Sequence, residues 1–185
     1  RDFVALTQKL GFDPILLPFK PNGKAMHIKG FLARFSKTAK TQAEFLNRIA
    51  KLNVPLVGVD PAIVLSYRDE YKEALGDSRG DFHVLTAHEW LTNQLESNAL
   101  QSAVKNIAKS DRTFEWHLFP HCTESTFMPN SPKEWQHIFA QFGQTLKVEK
   151  VGCCGMAGVF GHEVQNQTMS KNIYDVSWGK KMQGK

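Results

Sequence analysis

The sequence predicts an α/β fold of two related halves, each a short, mostly parallel sheet flanked by helices. Three observations carry that expectation. Short apolar runs such as Val54-Pro55-Leu56-Val57-Gly58-Val59 and Leu146-Lys147-Val148 alternate with stretches whose apolar residues recur every three or four positions. Glycine and proline stop signals separate these segments. The order helix, glycine, strand, turn, helix also occurs twice at a constant offset of 132, with Gly11 matching Gly143, Gly23 matching Gly155 and Ala25 matching Ala157. On this reading residues 1–95 form the first half, 96–114 a linker with a short helix, and 115–185 the second half.

In chain order, residues 3–10 have the spacing of a short amphipathic helix stopped by Gly11. Residues 12–19 contain Ile15-Leu16-Leu17 and read as a buried strand ended by Pro18 and Pro21. Ile28, Phe31, Leu32, Phe35, Ala39, Leu46 and Ile49 predict one long helix. Val54 to Val59 is the next strand, and Asp60-Pro61 caps a helix through Tyr71. Phe82 to Leu85 is a brief extended piece. Thr86 then opens a helix, with Glu89 three residues on completing a capping box.

In the second half, Trp116 to Pro120 is a strand leading into His121-Cys122. Ser131-Pro132 starts a helix that Gly143 closes. Leu146 to Val151 alternates as a strand and delivers the chain to Gly152-Cys153-Cys154-Gly155-Met156-Ala157-Gly158. A helix carrying Met169, Ile173, Val176 and Trp178 follows.

Composition narrows the function classes. At 185 residues, 42% hydrophobic and 22% charged, the chain can bury a core as one domain or two closely packed halves. There is no run of 18 apolar residues, so no transmembrane segment is expected. The formal charge of +5 comes from dispersed lysines, which argues against nucleic acid. The densest basic region, Lys20 to Lys40, reads as a solvated helix face, with an acidic docking partner as the alternative. The opening residues are neither a signal peptide nor an initiator Met, so the chain reads as part of something longer.

Three cysteines, two of them adjacent, do not form a disulfide framework. They fit a reducing compartment, cytoplasmic or peripheral to the inner face of the membrane. Vicinal thiols on a glycine turn can face one metal ion or one cluster, and Cys122 is the only other cysteine. Cys122, Cys153 and Cys154 are the candidate metal ligands, with Gly152, Gly155 and Gly158 as the backbone that approaches the cofactor. The plain alternative is a pair of small residues in a tight turn. His121 could serve as a ligand or raise the thiolate fraction of Cys122, though a hydrogen-bonded loop histidine is the favoured reading. His162 reads as part of a surface turn, and His88 and Glu89 as structural. Asp69 and Glu70 cannot share one substrate atom from adjacent helical positions, and Ser125 lacks a nucleophile-elbow setting. No dinucleotide or phosphate-gripping glycine motif is present, so no flavin or nucleotide is expected on this stretch itself.

Cys122 followed thirty residues later by Cys153-Cys154-Gly155 resembles the cysteine-rich CCG domain of heterodisulfide reductases and of the glycolate oxidase iron–sulfur subunit. The same domain occurs in anaerobic glycerol-3-phosphate dehydrogenases. Phe19-Lys20-Pro21-Asn22-Gly23-Lys24, His27-Ile28-Lys29-Gly30-Phe31, Gly58-Val59-Asp60-Pro61-Ala62, Tyr67-Arg68-Asp69-Glu70-Tyr71 and the Gly152–Gly158 loop are similar to one branch of it. That branch is the C-terminal region of large FAD-linked, iron–sulfur oxidoreductases of D-2-hydroxy acids such as D-lactate or D-2-hydroxyglutarate. The resemblance implies a cluster of 4Fe–4S type on Cys122, Cys153 and Cys154, FAD on upstream domains, and an electron acceptor as partner. It also implies final cysteine ligands a little over thirty residues beyond Cys153, so the site within this stretch is incomplete and could be empty or hold zinc. In the first half Asn22-Gly23 stands for the double-cysteine turn and Asp60-Pro61-Ala62 for the later pair. A zinc-stabilised or metal-free docking module is the rival reading, and a thiol enzyme using Cys122 with His121 a third.

Overall fold

A computed structural model describes residues 1–97, 100, 103–105 and 114–183. The first half contains α1 (Asp2–Lys9), α2 (Lys24–Ile28), α3 (Leu32–Ala50), β1 (Leu56–Gly58), α4 (Pro61–Arg68), α5 (Glu70–Leu75), β2 (Val84–Thr86) and α6 (Ala87–Glu96). The second contains β3 (Glu115–Leu118), α7 (Cys122–Phe127), α8 (Ser131–Gln141), β4 (Thr145–Val148), α9 (Gln167–Tyr174) and α10 (Lys180–Met182), the last two joined by a π-turn at Asp175–Gly179. Among the described residues two separate two-stranded sheets result, both parallel. β1 pairs with β2 from Leu56↔Val84 to Gly58↔Thr86, and β3 with β4 from Glu115↔Thr145 to Leu118↔Val148. Parallel neighbours need a crossover, and helices supply it in each half.

The core has two parts. Phe35, Ala39, Ala43 and Leu46 of α3 recur at helical spacing and bury against Leu56, Val64, Tyr71, Phe82 and Val84. Leu10, Trp90, Leu91, Leu100, Val104 and Ile138 form the second cluster, which joins α1 and α6 to α8 of the second half. Trp90 takes Phe3 and Phe12 edge-on, with ring centroids 5.8 and 4.9 Å away. The capping box at α6 forms as expected: Thr86 N donates to Glu89 Oε2 at 2.8 Å, and Thr86 Oγ1 accepts from Glu89 N.

The recurrence at offset 132 extends to hydrogen bonds. Phe12 N donates to Thr7 O and Gln144 N to Phe139 O, each at 3.0 Å, the six-to-one bond of a Schellman close. Gly11 and Gly143 occupy the left-handed position that this close requires, at φ +89 and +68. Gly30 N donates to His27 O at 2.9 Å, and His162 N to Val159 O at 3.1 Å. The helical stretch from Val164 to Met182 matches the bounds of α3 in the same register.

Several elements differ from expectation. Residues 12–19 form no strand, and Ile15, Leu16, Leu17 and Phe19 are exposed; among the described residues β1 and β2 pair only with each other. The long helix predicted from Ile28 is two helices, because Gly30 at φ +77 turns the chain between α2 and α3. The helix through Tyr71 breaks at Asp69, which lets Arg68 reach β2 while Tyr71 enters the core. Asn130, not Ser131, is the N-cap of α8, and Ser131 is buried. Most of the expected linker and its helix, residues 96–114, lies outside the described residues.

Candidate functional site

β3 and β4 run parallel side by side, so the loops leaving their carboxyl ends emerge together. Cys122 is the first residue of α7, directly after β3, and Cys153-Cys154 follow β4. Glu149 N donates to Leu118 O at 2.9 Å, carrying the pairing one step past the last strand residues. All three cysteines are free; Cys122 and Cys153 are exposed and Cys154 is half-buried. Adjacent parallel strands therefore start both cysteine-bearing loops from one end of the sheet, the usual place for a site in an α/β fold.

The double-cysteine loop is fixed from several directions. Gly155, at φ +87, faces Ser170 so closely that an added Cβ would lie 2.2 Å from the Ser170 carbonyl oxygen. Ser170 Oγ donates to Gly155 O at 2.9 Å, closing the contact from the helix side. Gly152 N donates to Ser177 Oγ at 2.7 Å, while Trp178 Nε1 donates to Gly152 O at 3.1 Å. The Trp178 ring also packs on Phe119, with centroids 5.0 Å apart. One indole thus ties the loop after β3 to the loop after β4. Gly155 N donates to Cys153 Sγ at 3.3 Å, which orients that thiol within its own turn.

The first half braces the same loop. A Cβ on Gly158 would come within 2.8 Å of Ile28 Cδ1, and Lys29 pairs with Glu163. The three glycines singled out in the sequence therefore face protein at Ser177, Ser170 and Ile28. Behind the sheet end, His117 Nδ1 lies 2.7 Å from Glu149 Oε1. Among the described residues, no three His, Cys, Asp or Glu side chains are gathered as a ready metal cage.

The chemistry of the donor set nevertheless fits a soft-metal centre. The candidate donors are thiols, they are unpaired, and two are open to solvent. Three thiols are one short of the four that an ordinary iron–sulfur cluster takes.

The other sequence candidates have structural duties. His121 is the N-cap of α7, its Nδ1 accepting from Thr123 N at 3.2 Å. His88 is buried between Thr86 and the carboxylates of Glu124 and Glu134, 3.4 and 3.2 Å away. Glu70 pairs with Lys24. His162 lies in a short 3₁₀ turn. Burial would raise the Glu89 carboxyl, but hydrogen bonds from Arg68 and Thr86 outweigh it and hold the group below its ordinary value. Ser170, Ser177 and Trp178 were not legible as loop supports, because polar groups on an amphipathic helix carry no sign of what they touch.

An α/β unit with thiol-bearing loops at the ends of neighbouring parallel strands is the class that fold and site define. Compared with known proteins, the chain is 80% identical over its whole length to D-2-hydroxyglutarate dehydrogenase of Haemophilus influenzae and 57% identical over 98% of its length to that of Escherichia coli. It is 39% identical over 97% of its length to the Pseudomonas putida enzyme of the same name. The chain spans 18% or less of the length of each of these relatives. No family model matches it, and no solved structure does. The chain thus corresponds to one stretch of these relatives. Among the described residues no helix is long and apolar enough to cross a membrane.

Proposed function

We propose that this chain is the electron-transfer region of an FAD-linked dehydrogenase oxidising D-2-hydroxyglutarate, with Cys122, Cys153 and Cys154 as ligands of an iron–sulfur cluster. The observation that carries the proposal is the side-by-side emergence of the two thiol loops from β3 and β4, in a chain matched end to end by D-2-hydroxyglutarate dehydrogenases. A cluster held there would pass single electrons between the flavin of upstream domains and an acceptor. The chain's own contribution is positional. Gly155 allows the turn, Ser170 and Ser177 pin it, and Trp178 keeps it beside the Cys122 loop. A zinc-stabilised or metal-free docking role is the second reading, favoured by the first half, where an equivalent turn is held with no cysteine.

The test uses the full-length enzyme. Cys153→Ser and Cys154→Ser should leave anaerobic flavin reduction by D-2-hydroxyglutarate intact. Reduction of an external acceptor should fall by at least the ~10–100-fold typical of disturbing a metal's surroundings. Broad visible absorption that bleaches on reduction should diminish in parallel. Unchanged acceptor reduction in both variants assigns the region to scaffolding.

A further inference from the structure

The segment from Asp13 to Phe19 leaves several large apolar side chains open to solvent. Ile15 is 83% exposed, Leu16 76% and Phe19 92%, although the sequence has the apolar character of a strand buried on both faces. Its counterpart at offset 132 is β4, since residues 13–16 correspond to Thr145–Val148. The register is independently fixed on both sides of the segment. The Schellman closes just before it and the glycines just after it, Gly23 at φ +81 and Gly155 at φ +87, coincide at that offset. β4 is a strand because β3 lies beside it. Residues 13–16 follow the same kind of helix and glycine but pair with no strand among the described residues.

We propose that in the longer protein residues 13–17 are a β-strand, completed by a parallel strand from the segment about 15–18 residues before Arg1. That position is where the offset of 132 places the counterpart of Glu115–Leu118. The relatives supply chain for it, because this stretch is less than a fifth of their length. A parallel strand joined by a crossover helix matches the second half: β3, α7, α8, β4 becomes the added strand, a connection ending in α1, then residues 13–17. Pro14 lacks an N–H, which a strand tolerates on the side turned away from its partner. Partial burial of Leu16, the counterpart of half-buried Val148, then follows from sheet completion rather than from a separate binding partner.

The experiment uses the full-length protein. Amide exchange at Ile15 and Leu17, whose N–H groups face the proposed partner when Pro14 faces away, should be at least about 100-fold slower than in an unstructured peptide. Replacing the four residues 15–18 positions before Arg1 by Gly-Ser-Gly-Ser should abolish that protection. A second measurement needs no disruption. In β4 Val148 faces Leu118, so Leu16→Cys combined with a cysteine 15 residues before Arg1 should close a disulfide with diamide. Parallel neighbours are about 4.8 Å apart, within the span a disulfide bridges. A pair two residues out of register should stay open. Fast exchange in the wild-type protein overturns the proposal. So does protection that survives the replacement, which would mean another part of the protein covers the segment. Protection that rises with protein concentration would point to a second copy and overturns it too.

Discussion

Replacing Gly155 by alanine adds one methyl group at a position where two penalties combine, and Gly11→Ala isolates one of them. Both glycines are left-handed, Gly155 at φ +87 and Gly11 at φ +89, so each alanine carries a backbone cost of about 1–2 kcal/mol. Gly11 has nothing within 4 Å of an added Cβ. At Gly155 the new atom would sit 2.2 Å from the Ser170 carbonyl oxygen and 3.0 Å from both the Ser170 carbonyl carbon and Oγ. The obstacle is mainly helix backbone, which cannot rotate aside, so the loop or α9 must move. Overpacking of that kind adds about 1–3 kcal/mol. The expected losses are therefore ~1–2 kcal/mol for Gly11→Ala and ~2–5 kcal/mol for Gly155→Ala. At about 2–4 °C per kcal/mol for a domain of this size, the second variant should melt several degrees below the first. Thermal unfolding followed by circular dichroism gives the comparison, and alkylation of Cys153 and Cys154 reports the loop directly. Only Gly155→Ala should change the alkylation rates. Equal melting temperatures with unchanged alkylation would refute the close loop–helix contact and the positional role given to Gly155.

Three further outcomes follow from other contacts. Tyr71→Phe removes the hydroxyl that donates to Asn22 O at 2.6 Å and should cost about 0.5–1.5 kcal/mol in urea unfolding, the net worth of one hydrogen bond to a half-buried acceptor. Glu89→Gln should destabilise the chain at neutral pH and flatten the acid limb of its stability profile. A carboxyl depressed by folding contributes fully above its unfolded value near 4.5, and that contribution disappears as pH falls through the lower folded value. Denaturant midpoints taken from pH 7 to pH 3 would show it, and parallel wild-type and variant profiles would count against the Arg68–Glu89 link. Trp178→Leu should speed alkylation of Cys153 and of Cys122 together, because one ring touches both loops; faster reaction at only one would separate them.

The sequence stated the fold most clearly where local chemistry decides it. Thr86 with Glu89, Asp60 with Pro61, and Gly143 after an amphipathic run each mark a boundary that the backbone obeys for its own hydrogen-bonding reasons. The paired cysteine loops were legible too, because a strand directed the chain into each and parallel pairing does the rest. Failures came where a segment's state depends on a neighbour. Ile15-Leu16-Leu17 has strand composition, yet a strand exists only beside another strand. Gly30 broke a helix that apolar spacing alone would have continued, since periodicity records which face is buried and not whether the axis stays straight. The supports of the cysteine loop, Ser177 and Trp178, lie 25 and 26 residues from Gly152, and no local pattern joins them.

The two halves show how one backbone turn serves two ends. In the first, Asn22 O accepts from Tyr71, Asn22 Oδ1 accepts from Lys24 N at 2.9 Å, and Lys24 pairs with Glu70. Gly23 backs onto Phe35, whose Cδ2 lies 2.9 Å from where a Cβ would be. Side chains from α3 and α5 thus close over that turn, and its polar groups are used internally. In the second half the equivalent turn is held from Ser170, Ser177 and Trp178, through backbone groups of Gly152 and Gly155. Supporting the turn by its backbone leaves Cys153 exposed and Cys154 half-buried, neither in a disulfide. The first arrangement spends its polar groups on the fold itself. The second holds the loop while leaving its two thiols unpaired, which is what a ligand-bearing loop requires.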